Sequence, residues 1–226
     1  MYSQGNLERF VIDEAQCVVE WGHGYRDEYG KLGNFLERFT NIPITALTST
    51  ASIATRGMIE QQLGMKNCKR FIGSVNRPNL KYIVANESGL DALKTLIPFI
   101  EQKFSKSNGI IFCFTKKECF EYAQMFNQRG ISAVAYHGDM FDVQREVVQN
   151  QWKTGLVQVI FTTIHAFGMG ISKPDVRFVV HLTLPTSIEN YYRESGRAGH
   201  DGQPAMSIVC HSANDMNRYQ FFFTCK

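Results

Sequence analysis

Short runs rich in Val, Ile and Phe alternate with segments of helical spacing along this 226-residue chain, and that alternation restricts the fold more than any other feature. The runs fall at 10–12, 42–47, 109–114, 133–136, 157–161, 176–182 and 205–210. They are short and nearly free of polar residues, as strands buried on both faces are. Between them, residues 32–39, 53–63, 90–104, 117–129, 143–152 and 188–195 repeat apolar side chains at the spacing of one helix face. Strands alternating with helices predict an α/β fold, a parallel sheet covered by helices. The polar stretch 73–79, Gly-Ser-Val-Asn-Arg-Pro-Asn, separates a two-strand portion from a five-strand portion and predicts a domain boundary, with domains at 1–75 and 76–226. Two strands alone make a poor layer, because a parallel sheet needs neighbours to pair its edges and cover its faces.

No run of about 18 apolar residues is present to span a bilayer, and the first ten residues lack a signal-peptide pattern, so a cytoplasmic or nuclear address and no membrane partner are expected. The six cysteines, Cys17, Cys68, Cys113, Cys119, Cys210 and Cys225, form no C-x-x-C pair and lie mostly in apolar segments. Reduced core thiols are expected, with neither a zinc site nor a disulfide scaffold. Lys and Arg number 24 against 21 Asp and Glu, a formal charge of +3 that permits an anionic partner without requiring one.

In open α/β sheets ligands collect at the carboxyl ends of strands, and Asp13-Glu14 follow Phe10-Val11-Ile12 directly. An aspartate there can hold Mg²⁺, usually through water, while the neighbouring glutamate can orient or deprotonate the water that attacks a γ-phosphate. The plainer alternative is an acidic pair capping the next helix. The chain continues through Ala15, Gln16, Cys17, Val18, Val19 and Glu20 to Trp21, Gly22, His23, Gly24, Tyr25 and Arg26. Bases stack on aromatic faces without sequence preference at about 1–3 kcal/mol each, so Trp21 and Tyr25 beside Arg26 make a platform for a single strand; buried core aromatics are the alternative.

This acidic box followed by an aromatic loop closely resembles the RecQ family of DNA helicases, which has Asp-Glu-Ala-His and then a Trp-Gly-His loop. Further segments resemble the family in order: Leu47-Thr48-Ser49-Thr50-Ala51, Asn76-Arg77-Pro78-Asn79-Leu80, Gly109-Ile110-Ile111-Phe112-Cys113, Ala135-Tyr136-His137-Gly138, Ala166-Phe167-Gly168-Met169-Gly170-Ile171, Lys173-Pro174-Asp175-Val176 and Tyr191-Tyr192-Arg193-Glu194-Ser195-Gly196-Arg197-Ala198-Gly199. The resemblance covers nearly the whole chain and looks nearest to the Bloom-type members. It implies RecA-like domains of the P-loop NTPase type that clamp ATP between them and ratchet 3′ to 5′ along DNA, unwinding duplex in recombination and repair. Asp13, Glu14, Gln16 and Arg197 are then expected to be catalytic, with Asp13 as the Mg²⁺ residue. Asp13, Gly170, Ser172, Arg197 and His200 are expected to bind nucleotide. Trp21, His23, Tyr25, Arg26, Lys116, Arg145 and Lys173 are expected to contact DNA. Gly196 and Gly199, on either side of Arg197 and Ala198, are expected to let backbone approach a ligand. A surface arginine in a loop is the alternative for Arg197, and a solvated face the alternative for the lysines.

Several positions depart from the family. No Gly-x-x-x-x-Gly-Lys-Ser/Thr cradle occurs; the one Gly-Lys step, Gly30-Lys31, is followed by Leu32 and has Tyr25 where the first glycine belongs. This chain alone is therefore expected not to hydrolyse ATP at a DNA-stimulated rate. Gln16 replaces a His and keeps a donor and an acceptor; Ser172 replaces Asp or Asn; Arg193 replaces Gln; His200 replaces a second arginine and loses a permanent bidentate charge. Part of an ATP-dependent DNA helicase is the leading expectation, with single-stranded and duplex DNA and ATP as partners, and a non-catalytic nucleic-acid-binding relative as the alternative.

Overall fold

The computed structural model describes residues 5–20, 27–164, 166–167, 171–213 and 215. The chain divides into two compact units, Met1–Val75 and Asn76–Lys226. Among the described residues no helix is long and apolar enough to cross a membrane.

In the first unit β1 (Phe10–Ile12) pairs in parallel with β2 (Ile44–Ala46), Phe10 opposite Ile44. Four short helices surround the pair: α1 (Cys17–Glu20), α2 (Asp27–Gly30), α3 (Leu32–Leu36), which runs into a 3₁₀ turn at Glu37–Phe39, and α4 (Ile53–Gln62). Ala15, Val18, Leu36, Ile59 and Leu63 form its core, with Phe10, Ile12 and Ile44 packed against it from the strands. The ring of Phe10 meets Phe35 and Phe39 at 5.9 and 5.3 Å. α4 starts where Ser52 accepts from the Thr55 N–H at 3.1 Å, an N-cap that satisfies one of the first orphan amides.

At the far side of α4, Arg70 grips Glu60 with two bonds of 2.6 and 2.8 Å. That guanidinium holds the Glu60 carboxyl down at about 2 from its ordinary 4.5. A carboxyl lowered on folding contributes stability that is present above its unfolded value and is lost as the pH falls from there through the folded value, so this contact should persist to about pH 2. An NMR acid titration should place the Glu60 midpoint near 2 and return it towards 4.5 in Arg70→Gln. An unchanged midpoint in the variant would contradict the assignment to Arg70.

The second unit is one six-stranded, fully parallel sheet in the order β3-β8-β7-β4-β6-β5. Its strands are β3 (Leu80–Ala85), β4 (Asn108–Cys113), β5 (Ala133–Tyr136), β6 (Val159–Thr163), β7 (Val176–His181) and β8 (Ala205–Cys210). Its helices are α5 (Gly89–Lys103), α6 (Lys116–Gln128), α7 (Asp142–Lys153) and α8 (Ile188–Ser195). Alternate side chains of each strand feed two cores. Ile111, Phe161, Phe178 and Ile208 pack with Leu93, Ile100, Cys119 and Phe126 from α5 and α6. Ile110, Phe112, Ile160 and Val179 pack with Val148 and Trp152 from α7.

The sequence predicts five strands for this portion, and the structure has six. β3 escapes the apolar-run criterion because it is a sheet edge with a polar start, Leu80-Lys81-Tyr82, and with Tyr82 and Val84 still 45 and 67% exposed. α1 and α2 are one turn each, too short for a periodicity to register.

Candidate nucleotide and nucleic-acid sites

The acidic pair lies where the sequence predicts, at the carboxyl end of β1. Asp13 is exposed, and its Oδ1 accepts from the Glu14 N–H at 2.9 Å. Glu14 has φ +50°, left-handed backbone that a residue with a Cβ adopts only at a cost of order 1–2 kcal/mol. The surrounding bonds enforce it: Ala15 N–H donates to Leu47 O at 2.9 Å, Leu47 N–H to Ile12 O at 2.8 Å, and Cys17 N–H to Glu14 O at 2.9 Å.

Gln16 is fully buried behind this turn and uses both ends of its amide. Its Nε2 donates to Glu14 Oε2 at 2.5 Å, and its Oε1 accepts from Thr48 Oγ1 at 2.5 Å. The orientation follows from chemistry, since a carboxylate only accepts and must face the NH₂. Thr48 Oγ1 in turn accepts from the Thr50 N–H at 3.3 Å. Glu14, Gln16 and the Leu47-to-Ala51 segment after β2 are thus one hydrogen-bonded unit.

Arg197 lies in the turn after α8. Its Nη1 donates to Ile171 O and its Nη2 to Phe167 O, both at 3.1 Å, and the guanidinium sits 5.4 Å from the centre of the Phe167 ring. The guanidinium is therefore half-buried and folded onto its own unit. Gly199, at φ +64°, packs so closely that a Cβ would stand 2.6 Å from Asn79 Nδ2. At Gly196 a Cβ would stand 2.8 Å from Tyr192 O. Both glycines meet neighbouring groups of their own chain. His200 is exposed beside them, and Ser172 is exposed at the other flank. Gly170 lies outside the described residues, as do Trp21, His23, Tyr25 and Arg26.

The candidate cations separate into two sets. Lys116 opens α6 beyond the carboxyl end of β4, and Arg145 lies in the first turn of α7 beyond β5, so both belong to the carboxyl edge of the sheet. Lys116 pairs with Asp139 and holds its carboxyl below the usual range, and Arg145 pairs with Asp142. Lys173 belongs to the opposite edge, before β7. Only 7% of its side chain is exposed; its ammonium donates to Lys153 O at 3.0 Å, pairs with Asp175 at 3.1 Å and lies 5.9 Å from the Trp152 ring centre. Its work is to tie α7 to the start of β7, because its stem is buried and its charge already engaged.

Sequence reasoning missed the residues that organise the Arg197 turn. Arg77 and Asn79 reach it from the segment before β3. Arg177 reaches Asp201 at 2.6 Å, which holds the Asp201 carboxyl low. It also missed a buried pair, His181 Nε2 and Glu194 Oε2 at 3.0 Å, joining β7 to α8.

In the second unit, a parallel sheet wrapped by helices is the architecture of a RecA-like domain. The solved structures bear this out at the level of fold: yeast Dbp5 bound to RNA and ADP BeF₃ matches with a TM-score of 0.76 at 21% identity over 96% of this chain and 57% of its own. A DEAD box protein from Methanococcus jannaschii matches at 0.60 and 22% identity. Residues 89–202 match the helicase conserved C-terminal domain, and the chain belongs to that family; the relatives it resembles include RecQ-type helicases. It is 42% identical over 96% of its length to ATP-dependent DNA helicase Q-like 2 of Arabidopsis thaliana, 41% over 96% to RecQ-like DNA helicase BLM of Xenopus laevis, and 43% over 91% to ATP-dependent DNA helicase RecQ of Haemophilus influenzae. The chain spans 31, 16 and 32% of the lengths of these three relatives.

Proposed function

We propose that this chain is part of an ATP-dependent DNA helicase of RecQ type that moves 3′ to 5′ on DNA, unwinds duplex in recombination and repair, and acts in the nucleus if its source is eukaryotic. The observation that carries the proposal is the clamped Glu14. A carboxylate held in strained backbone and bonded through Gln16 to the segment after β2 is a preorganised group, and strain of this kind persists where a site needs one geometry.

Asp13 suits Mg²⁺, a hard cation that keeps most of its waters and takes one or two carboxylates: it is exposed and has one oxygen occupied only by the Glu14 amide. When bound, the ion would neutralise charge on ATP phosphates. Glu14 would orient and deprotonate the attacking water, and Gln16 would carry the state of that carboxylate to Thr48. Arg197 would exchange its carbonyl bonds for the γ-phosphate, with Ser172, Gly170 and His200 lining the nucleotide side. Lys116 and Arg145, with the Trp21 loop, would contact single-stranded and duplex DNA.

The test is strand separation by the full-length protein with ATP and Mg²⁺ on duplexes carrying a 3′ or a 5′ single-stranded tail. The 3′-tailed duplex should be opened and the 5′-tailed one left intact, and Glu14→Gln should lower the rate by about a hundredfold or more. Unwinding that survives the substitution, or that requires a 5′ tail, would overturn the proposal.

A further inference from the structure

A helix leaves its last carbonyls without intrahelical donors and concentrates negative charge there. α8 ends at Ser195, and the carbonyls that follow are taken up by a side chain more than a hundred residues earlier. Arg77 Nη1 donates to Gly196 O at 3.2 Å, and its Nη2 donates to Ala198 O at 2.9 Å and Gly199 O at 3.0 Å. Asn79 Nδ2 adds bonds of 2.9 Å to both Gly199 O and Gln203 O.

The carbonyl of Gly196 shares a peptide plane with the Arg197 amide, and that amide is bonded to Glu194 O at 3.2 Å. On the other side of Arg197, the Ala198 amide is bonded to Ser195 O at 3.1 Å and the Gly199 amide to Val176 O at 2.9 Å. The backbone on both sides of Arg197 is therefore held, and Arg77 supplies the bonds that the helix itself cannot. A planar guanidinium reaches three carbonyls at once; an ammonium on a flexible stem cannot match that fork.

We propose that Arg77 is a positioning residue that, with Asn79, fixes the turn carrying Arg197 and so sets where that guanidinium is presented. Its consequence for catalysis rests on the role proposed above for Arg197. Arg77→Lys keeps a positive charge at the end of α8 but removes the fork, and Arg77→Ala removes both.

In the full-length protein, Arg77→Lys should leave the thermal midpoint nearly unchanged while amide hydrogen exchange at 197–199 accelerates by about tenfold or more. Its DNA-stimulated turnover of ATP should fall by at least about tenfold at little-changed KM, because a small misplacement of a group that acts in the transition state is felt in kcat. Guanidinium ion at millimolar concentration should restore part of the turnover of Arg77→Ala and leave wild type unaffected. Exchange no faster in Arg77→Lys overturns the positioning itself. Faster exchange with undiminished turnover overturns its link to catalysis. A wild type without DNA-stimulated turnover overturns the role assigned to Arg197, and the exchange measurement then still decides whether Arg77 holds the turn.

Discussion

Replacing Glu194 with leucine should destabilise the second unit by about 3 kcal/mol, because it leaves a buried ring nitrogen of His181 without its partner. His181 and Glu194 are both shut away from water and joined at 3.0 Å. The imidazole lies flat on Phe112 at 4.8 Å and edge-on to Tyr191 at 5.3 Å, so it cannot swing out to solvent without breaking the aromatic packing. His181 Nδ1, Glu194 Oε1 and Thr183 Oγ1 already lack hydrogen bonds among the described residues. Removing the carboxylate adds a further unsatisfied buried nitrogen, and buried groups of that kind carry their full desolvation cost. In a unit of this size the loss corresponds to a fall of about 10 °C in Tm. Replacing both partners with apolar residues of similar size, His181→Phe with Glu194→Leu, should recover much of it, since a buried hydrogen-bonded pair exchanged for packed apolar groups can be nearly neutral. Urea and thermal unfolding of the two variants check this, and a loss below about 1 kcal/mol in Glu194→Leu would show that the pair is not the joint between β7 and α8.

In the full-length protein, Arg197→Ala should reduce DNA-stimulated ATP turnover by about a thousandfold, the magnitude associated with an arginine that meets developing phosphate charge. The structure makes the control for this experiment specific. Arg197 also ties down the carbonyls of Phe167 and Ile171 and packs on the Phe167 ring, so its loss has a structural cost as well. Arg197→Lys retains the charge but not the two-carbonyl fork, which separates the two contributions. A deep loss in both variants with only a small change in Tm supports the phosphate role. A loss below tenfold in Arg197→Ala would confine the residue to tying down the Phe167 and Ile171 carbonyls.

The elements that sequence patterns predict well are those whose burial is uniform. β4, β6, β7 and β8 are almost wholly buried, so each reads as an uninterrupted apolar run. β3 is held instead by main-chain pairing to β8, which leaves no trace in its side-chain pattern. The acidic corner was predictable because strand, Asp13, Glu14 and Gln16 are adjacent in the chain. The strain at Glu14 was not, because it comes from bonds to Leu47, a residue remote in sequence. The burial of Lys173 was illegible for a related reason, because Lys153 and Trp152, which its ammonium meets, belong to α7. Arg77 looks like a linker residue, and its three acceptors lie at the end of a helix that follows five more strands.

The order β3-β8-β7-β4-β6-β5 also governs how the unit is born. Leu80 pairs with Ala205 and Ala85 with Cys210, so the strand that leaves the ribosome first has no partner until the strand that leaves last. At ordinary elongation rates that wait is of order ten seconds, and the central strands β4, β6 and β7 can pair well before it ends. Arg77 lies just ahead of β3 and its acceptors just ahead of β8, so it can clasp the end of α8 only when the sheet's last place is filled. A nascent or truncated chain that stops short of residue 205 therefore exposes an unpaired strand edge and an Arg197 turn that nothing yet holds, which ties competence of the arginine to completion of the fold.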